Sequence, residues 1–364
     1  MPDLTTPEPR RVLIATITLA AGTGTAVYTR DLALALLRRG HLPIVYASQG
    51  GMLAEELRHA TVPVVTDLED MAAPPDVIHG HHQFETLVAL TRFPRVPALF
   101  VCHDGLTWHS VPPVGPRIGT YVAVDRNCRD RMVFEHGIPE QTIHLLANPV
   151  DLQRLAARSP LPAKPQRALI FSNNAEEDWV RPIRAACQSR GVTLDVAGAG
   201  RTIDKPEEVL GKYDLVFAKA RCALEAMATG CAVIVCDAAG LAGLVTTASL
   251  LAMRELNFGA RTLRRPITAA AIGEEIDRYD PNEAAAVRER IRHCADSDLL
   301  ADQFIALYDD LCARPPAEGD ELLAVSRSLS RMAAQLYAHV GTPKPLRAGL
   351  PRRLARRLRS LIRT

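Results

Sequence analysis

Residues 214–237 read "DLVFAKARCALEAMATGCAVIVCD". The apolar run Leu215 to Ala218 has the length and composition of a buried strand. The stretch from Ala220 to Thr229 is built of helix formers, Gly230 supplies a stop, and "CAVIVCD" is a second buried strand. Strand, helix and strand within two dozen residues describe a parallel crossover, the unit of an α/β sheet covered on both faces. The join between the first strand and the helix holds Lys219 and Arg221, and one turn later comes Glu225. A helix start offers unpaired N–H groups and the positive end of its dipole, so two added cations suit it to a diphosphate. Glu225 is placed to accept hydrogen bonds from the two hydroxyls of a ribose. The competing reading is an Arg221/Glu225 surface pair at i,i+4, worth only tenths of a kcal/mol.

The same alternation extends in both directions. Upstream, "RVLIATIT", the glycine turn "GTGT" (Gly22 to Thr25) and a helix stopped at Gly40 are followed by further strand and helix segments to "TIHLLANP". A proline-rich crossing, "NPVDLQRLAARSPLPAKPQ", interrupts the rhythm, which restarts at "RALIFSNN". The expected fold is therefore α/β, with two Rossmann-like domains facing each other across a cleft and helices at the C-terminus. The expected divisions are a flexible N-terminus at 1–10, a first Rossmann-like domain at 11–150, a second at 151–312 and a helix with a basic tail at 318–364. The hinge falls at Asn148 and Pro149. Open α/β sheets bind ligands beyond the carboxyl ends of their strands, where this chain places its unusual residues.

Composition excludes several classes. Lys and Arg total 43 against 41 Asp and Glu, a net charge of +2, so no nucleic-acid partner is implied. The 8 cysteines form no C-x-x-C pair and read as thiols in a reducing cytoplasm. No window approaches the roughly 18 to 20 apolar residues of a membrane span. Glycine loop "GTGT" lacks the third glycine of a dinucleotide fingerprint, Val27 standing there, yet a ligand can approach its backbone at Gly24 and Thr25. "FVCHDGLTWH" puts His103 and Asp104 directly after a strand, suited to contacts with sugar hydroxyls. The "HGHH" cluster, His79 to His82, has no carboxylate or cysteine at metal-ligand spacing, so no metal is expected. Asp296 and Asp298 in "ADSDLL" read as a helix cap.

Together these segments resemble the retaining family 4 of GT-B glycosyltransferases. The resemblance is carried by "GIPEQTIHLLANPVDLQRL", by "ALEAMATGCAVIVCDAAGLAGLV", by "TLDVAGAG", by "HD" after its strand and by "AAGTGT". It implies that Glu225 binds the donor ribose, that His103 contacts the donor sugar and that Gly24 faces the diphosphate. Asn173, Cys222 and Thr25 join the donor side, and His82 and Asp104 the acceptor side. The partners implied are a nucleotide-sugar donor and a sugar, lipid-linked or small-molecule acceptor, with no cofactor and no metal. Two positions depart from the pattern. The first glutamate of the family's E-x7-E motif falls on Phe217, and its phosphate-binding Arg and Lys fall near the neutral Ser172, Asn173 and Asn174. Lys219 and Arg221 are expected to supply the missing charge, and His103, Lys219 and Arg221 are the expected catalytic groups. A degenerate binding module and a nucleotide-sugar 2-epimerase of the same architecture stay open as alternatives.

The tail "PLRAGLPRRLARRLRSLIRT" sets leucines on one helical face and arginines on the other, as a helix lying on an anionic membrane does. A solvated basic end is the other reading.

Overall fold

The computed structural model describes residues 8–20, 23–172, 175–197, 203, 205–315 and 319–340. The basic tail, Asn173 and the turn after "TLDVA" lie outside these residues. The N-terminal sheet is formed by β1 (Arg11–Thr18), β2 (Leu42–Gln49), β3 (Val64–Val65), β4 (Val77–Gly80), β5 (Ala98–Cys102), β6 (Ile118–Ala123) and β7 (Ile143–Leu145). Helices α1 (Gly24–Arg38), α2 (Met52–His59), α3 (Gln83–Arg92) and α4 (Arg126–Asp130) connect them. The strands run parallel in the order β3-β2-β1-β4-β5-β6-β7, so the chain reverses its direction of travel at β1 and β4. That reversal opens a crevice at the carboxyl end of β1, where α1 begins.

In the second half, β8 (Arg167–Phe171), α5 (Glu177–Gln188), β9 (Thr193–Ala197), β10 (Leu215–Ala218), α6 (Ala220–Thr229), β11 (Ala232–Asp237) and β12 (Gly240–Leu244) build a sheet ordered β12-β11-β10-β8-β9. Strand β12 departs from the expected alternation. It pairs antiparallel with β11 after a tight turn, because Gly240, at φ 148°, takes a backbone few other residues adopt and a Cβ there would meet the Arg265 carbonyl at 2.8 Å. Helices α7 (Leu250–Arg254), α8 (Ala269–Asp277), α9 (Pro281–Cys294), α10 (Ser297–Ala313) and α11 (Glu321–Val340) complete the described chain. None of the helices described is long and apolar enough to cross a membrane.

The quoted stretch forms β10, α6 and β11 as its pattern requires. Its strands are buried throughout, and α6 ends where Gly230 enters the left-handed region at φ 106°.

The division of the chain differs from the expected one at its far end. Helix α10 falls within 151–312, yet its stripe of Leu300, Phe304, Tyr308 and Leu311 is buried in the core of the N-terminal domain. That stripe, at i, i+4, i+8 and i+11, needs an apolar surface, and it finds one beside α1 and β4. Arg38 and Arg39 on α1 pair with Asp298 and Asp302 on α10 along the rim. The chain thus crosses between the domains twice, at 149–151 and at 295–297. The two crossings lie side by side: Val150 N–H donates to the Ala295 carbonyl at 2.7 Å and Ser297 N–H to the Val150 carbonyl at 3.0 Å. Asp296 caps α10 by accepting from Asp298 N–H at 3.1 Å.

Candidate active site

The segments that follow β1, β8 and β10 converge on a cavity of about 280 Å³ between the two sheets. From the N-terminal domain it is lined by Thr23, Gly24, Arg30 and Asp31, and from the other by Ser172, Lys219, Arg221, Cys222 and Glu225. Apolar walls come from Val27, Leu53, Leu155, Phe171 and Ile203. Helix α1 starts at the cavity, its first turn capped by the Thr23 hydroxyl, which accepts from Ala26 N–H. A Cβ on Gly24 would meet nothing within 4 Å, so this backbone is open to a ligand. Thr25 is half-buried and does not line the cavity.

At the start of α6, Ala220 has φ 48°, a left-handed backbone that costs a non-glycine residue about 1–2 kcal/mol. Its N–H is held by the carbonyl of Phe258 at 3.0 Å, and Phe258 and Asn257 have positive φ themselves. Through this contact the segment 256–268 buttresses the turn that aims α6 at the cavity. With the Ala220 N–H occupied, those of Arg221 and Cys222 remain at the helix start beside the cavity. Lys219 immediately precedes them, half-exposed and ion-paired with Asp237 at the end of β11.

Arg221 and Glu225 do form an i,i+4 pair, with Nε donating to Oε1 at 2.8 Å, but both side chains are buried in the cleft and not on the surface. Arg221 Nη2 also donates to Asp31 across the cleft. The expected diphosphate cation is therefore already engaged by two carboxylates, and Lys219 is left as the cation at the helix start. Burial raises the Glu225 carboxyl, with Arg221 offsetting only part of the effect. Burial would likewise raise Asp31, yet the guanidiniums of Arg221 and Arg30 outweigh it and hold that carboxyl below its usual range. The Cys222 thiol is pushed up to about 12 by burial and by Glu225, which keeps it protonated and unreactive.

None of His82, His103 and Asp104 lines this cavity. His103 Nε2 lies 2.7 Å from His81 Nδ1, its ring packed edge-on against Tyr28, and burial drives it down to about 3. His82 Nδ1 accepts from Ile17 N–H at 3.1 Å, which fixes the proton of the neutral ring on Nε2 and ties the start of α3 to the end of β1. Asp104 accepts from Thr107 N–H at 3.2 Å and shapes its own loop, while Arg131 donates to the Asp104 and Thr107 carbonyls. These three residues are thus scaffold for the crevice in the arrangement seen. Among the described residues no group of His, Cys, Asp or Glu is arranged to hold a metal. At the hinge, Pro149 offers its carbonyl to Arg221 Nη1 at 3.4 Å, and Asn148 Oδ1 is buried without a partner among the described residues.

Phe217 is fully buried in β10, between Ile170 and Ile234 of the flanking strands. The position is core, not cleft. Phe217→Glu is accordingly expected to lower unfolding free energy by about 4 kcal/mol or more, and Phe217→Leu by about 1–2 kcal/mol, both read by urea denaturation.

Several cleft residues escaped the sequence reading: Arg30 and Asp31 on α1, and Arg154 with Glu207 at 2.5 Å at the mouth. The signal for the first pair was present. "TRDLALALL" sets two charges directly before an unbroken apolar run of helix, and both prove to be buried.

Residues 22–154 match the family model of Glycosyltransferase Family 4. No protein of curated function matches the sequence. The chain superposes on a glycosyltransferase from Rickettsia africae with TM-score 0.60 at 13% identity, over 85% of this chain and 100% of that one. Anabaena HepE in complex with UDP and glucose gives 0.57 at 15%, over 83% and 100%. AviGT4, a glycosyltransferase involved in avilamycin A biosynthesis, gives 0.54 at 14%, over 85% and 100%. The fold is that of the GT-B glycosyltransferases. The N-terminal domain carries the family 4 match.

Proposed function

We propose that the protein moves a sugar from a nucleotide-sugar donor to an acceptor hydroxyl, with retention at the anomeric carbon and without a metal. The observation that carries this is the cluster at one helix start: Lys219 and the first N–H groups of α6 on one side of the cavity, and Glu225 one turn inward. The helix start and Lys219 take the diphosphate, and Glu225 takes the ribose hydroxyls. In the step itself, the bond from C1 to the diphosphate oxygen breaks as a bond from C1 to the acceptor oxygen forms on the same face. The acceptor proton passes to the leaving phosphate. What the protein must add is stabilisation of charge growing on that phosphate, and a cationic side chain at a helix start supplies it where other enzymes use a metal ion. HepE, whose solved structure holds UDP and glucose, supports the choice of donor class.

A thermal-shift screen against UDP, GDP, ADP, TDP and their sugars tests the donor site. One nucleotide is expected to raise the midpoint selectively, the shift to survive EDTA, and Glu225→Ala to abolish it. Absence of any shift would favour a binding module that has lost the donor site. For the acceptor, a lipid-linked substrate at an anionic membrane is the extension that the basic tail suggests. Co-sedimentation of the full chain with anionic vesicles, against a chain ending near Thr342, tests it.

A further inference from the structure

Three nitrogens of one guanidinium touch three parts of the molecule. Arg221 Nε donates to Glu225 on α6, Nη2 to Asp31 on α1, and Nη1 to the Pro149 carbonyl at the first crossing. Asp31 is fully buried, and its other oxygen accepts from Arg30 Nη2 at 2.6 Å and Nε at 2.9 Å. Two cations and two carboxylates are thus sealed together, one of each sign from each domain, with no net charge. Other interdomain pairs are more open to water: Arg126 with Glu255 at 3.0 Å and Arg261 with Asp130 have half-exposed arginines, and Arg154 meets a half-exposed Glu56 at 2.8 Å. Salt and water weaken such pairs, whereas the buried one is screened least.

We propose that Asp31 is a positioning residue: it reaches across the cleft, holds Arg221 against Glu225, and so makes the orientation of the donor-site carboxylate depend on the domains being together. When the cleft opens, Asp31 leaves with the N-terminal domain and Arg221 loses its anchor. In the arrangement seen, every guanidinium nitrogen of Arg221 is engaged, so the contribution of that side chain to the donor passes through Glu225. The consequence for donor binding rests on the reading of Glu225 given above; the consequence for the domains does not.

Asp31→Asn keeps the shape of the side chain and removes its charge. Arg30 and Arg221 then face each other across the interface with no carboxylate between them, and like charges in a buried setting separate. Small-angle X-ray scattering of the ligand-free full chain is expected to show a larger radius of gyration for Asp31→Asn and for Arg221→Gln. The double variant is expected to open no further than Asp31→Asn alone, and Asp31→Glu to recover the compact radius in part. In donor hydrolysis, Asp31→Asn is expected to raise the donor KM about 10-fold or more while kcat falls less than 3-fold. Wild-type radii in both single variants would overturn the proposal, as would a fall confined to kcat. If the wild-type chain binds no nucleotide, the donor reading fails, and the scattering result still decides whether Asp31 holds the domains. A variant that merely misfolds loses its cooperative melt, whereas an opened one keeps it.

Discussion

Lys219→Ala is expected to slow turnover of the bound donor by about 10²–10³-fold, the equivalent of roughly 3–4 kcal/mol of barrier. The reasoning starts from occupancy. Arg221 is bound to Asp31 and Glu225, the turn after β8 brings no basic side chain to the cavity, and Arg30 is committed to Asp31. Lys219 is the cation at the start of α6, and its partner among the described residues, Asp237, leaves it half-exposed and able to turn toward a phosphate. Hydrolysis of the donor sugar, with water as acceptor, reads the effect without knowledge of the natural acceptor. Lys219→Arg is expected to retain a substantial part of the rate. Turnover of Lys219→Ala within about 3-fold of wild type would remove Lys219 from the charge-stabilising role and leave the helix start alone in it. Loss of Lys219 also strips Asp237 of its partner, so thermal midpoints must accompany the rates.

The second large effect concerns acid. His79, His81 and His82 are buried in the N-terminal core, and burial lowers all three, His82 to about 3. They pack on one another and on Tyr308, Tyr28, His103 and His109, with no carboxylate paired to the rings among the described residues. A group whose folded value is depressed contributes stability that is complete above its unfolded value, near 6.5, and is lost as the pH falls toward the folded value. Between pH 7.5 and 5.5 the unfolded chain takes up about one proton per ring that the folded chain refuses, or about 1.4 kcal/mol each. The three rings together are expected to cost about 4 kcal/mol of unfolding free energy over that interval. Urea denaturation at pH 7.5, 6.5 and 5.5 measures it. A flat profile would mean that the rings are hydrated or that they protonate in the folded state.

Much of the architecture was legible because both sheets, β12 apart, are parallel and covered on both faces, which leaves uninterrupted apolar strands such as "FVC" and "VIVC" between helices of ordinary length. The position of α6 and the presence of Lys219, Arg221 and Glu225 at the cleft followed from strand order alone. What did not follow was anything decided by contact between the halves. No local pattern says that the charge of Arg221 is already balanced by Asp31, some 190 residues away in the chain. Nor does the periodicity of α10 state which core receives it. The histidines went the other way. His103 was given a sugar and His82 an acceptor because they follow strands, but tautomer and burial decide their availability, and those depend on Ile17, His81 and Tyr28. The segment 256–268 carried no readable signal, since it acts through backbone carbonyls and one ion pair to a distant residue, Arg261 with Asp130.

The neighbouring crossings at Val150 and Ser297 have a mechanical meaning. A lone tether would let the second domain swivel in any direction, whereas two strands of chain fastened side by side behave like a strip hinge and leave one easy axis. The swing of the cleft is then a single-parameter motion, and any substitution at either strand acts on the same angle. The arrangement also makes the molecule tolerant of a cut. A nick anywhere in 156–165 severs one strap only, and the other, anchored by α10 inside the opposite core, keeps both halves in register.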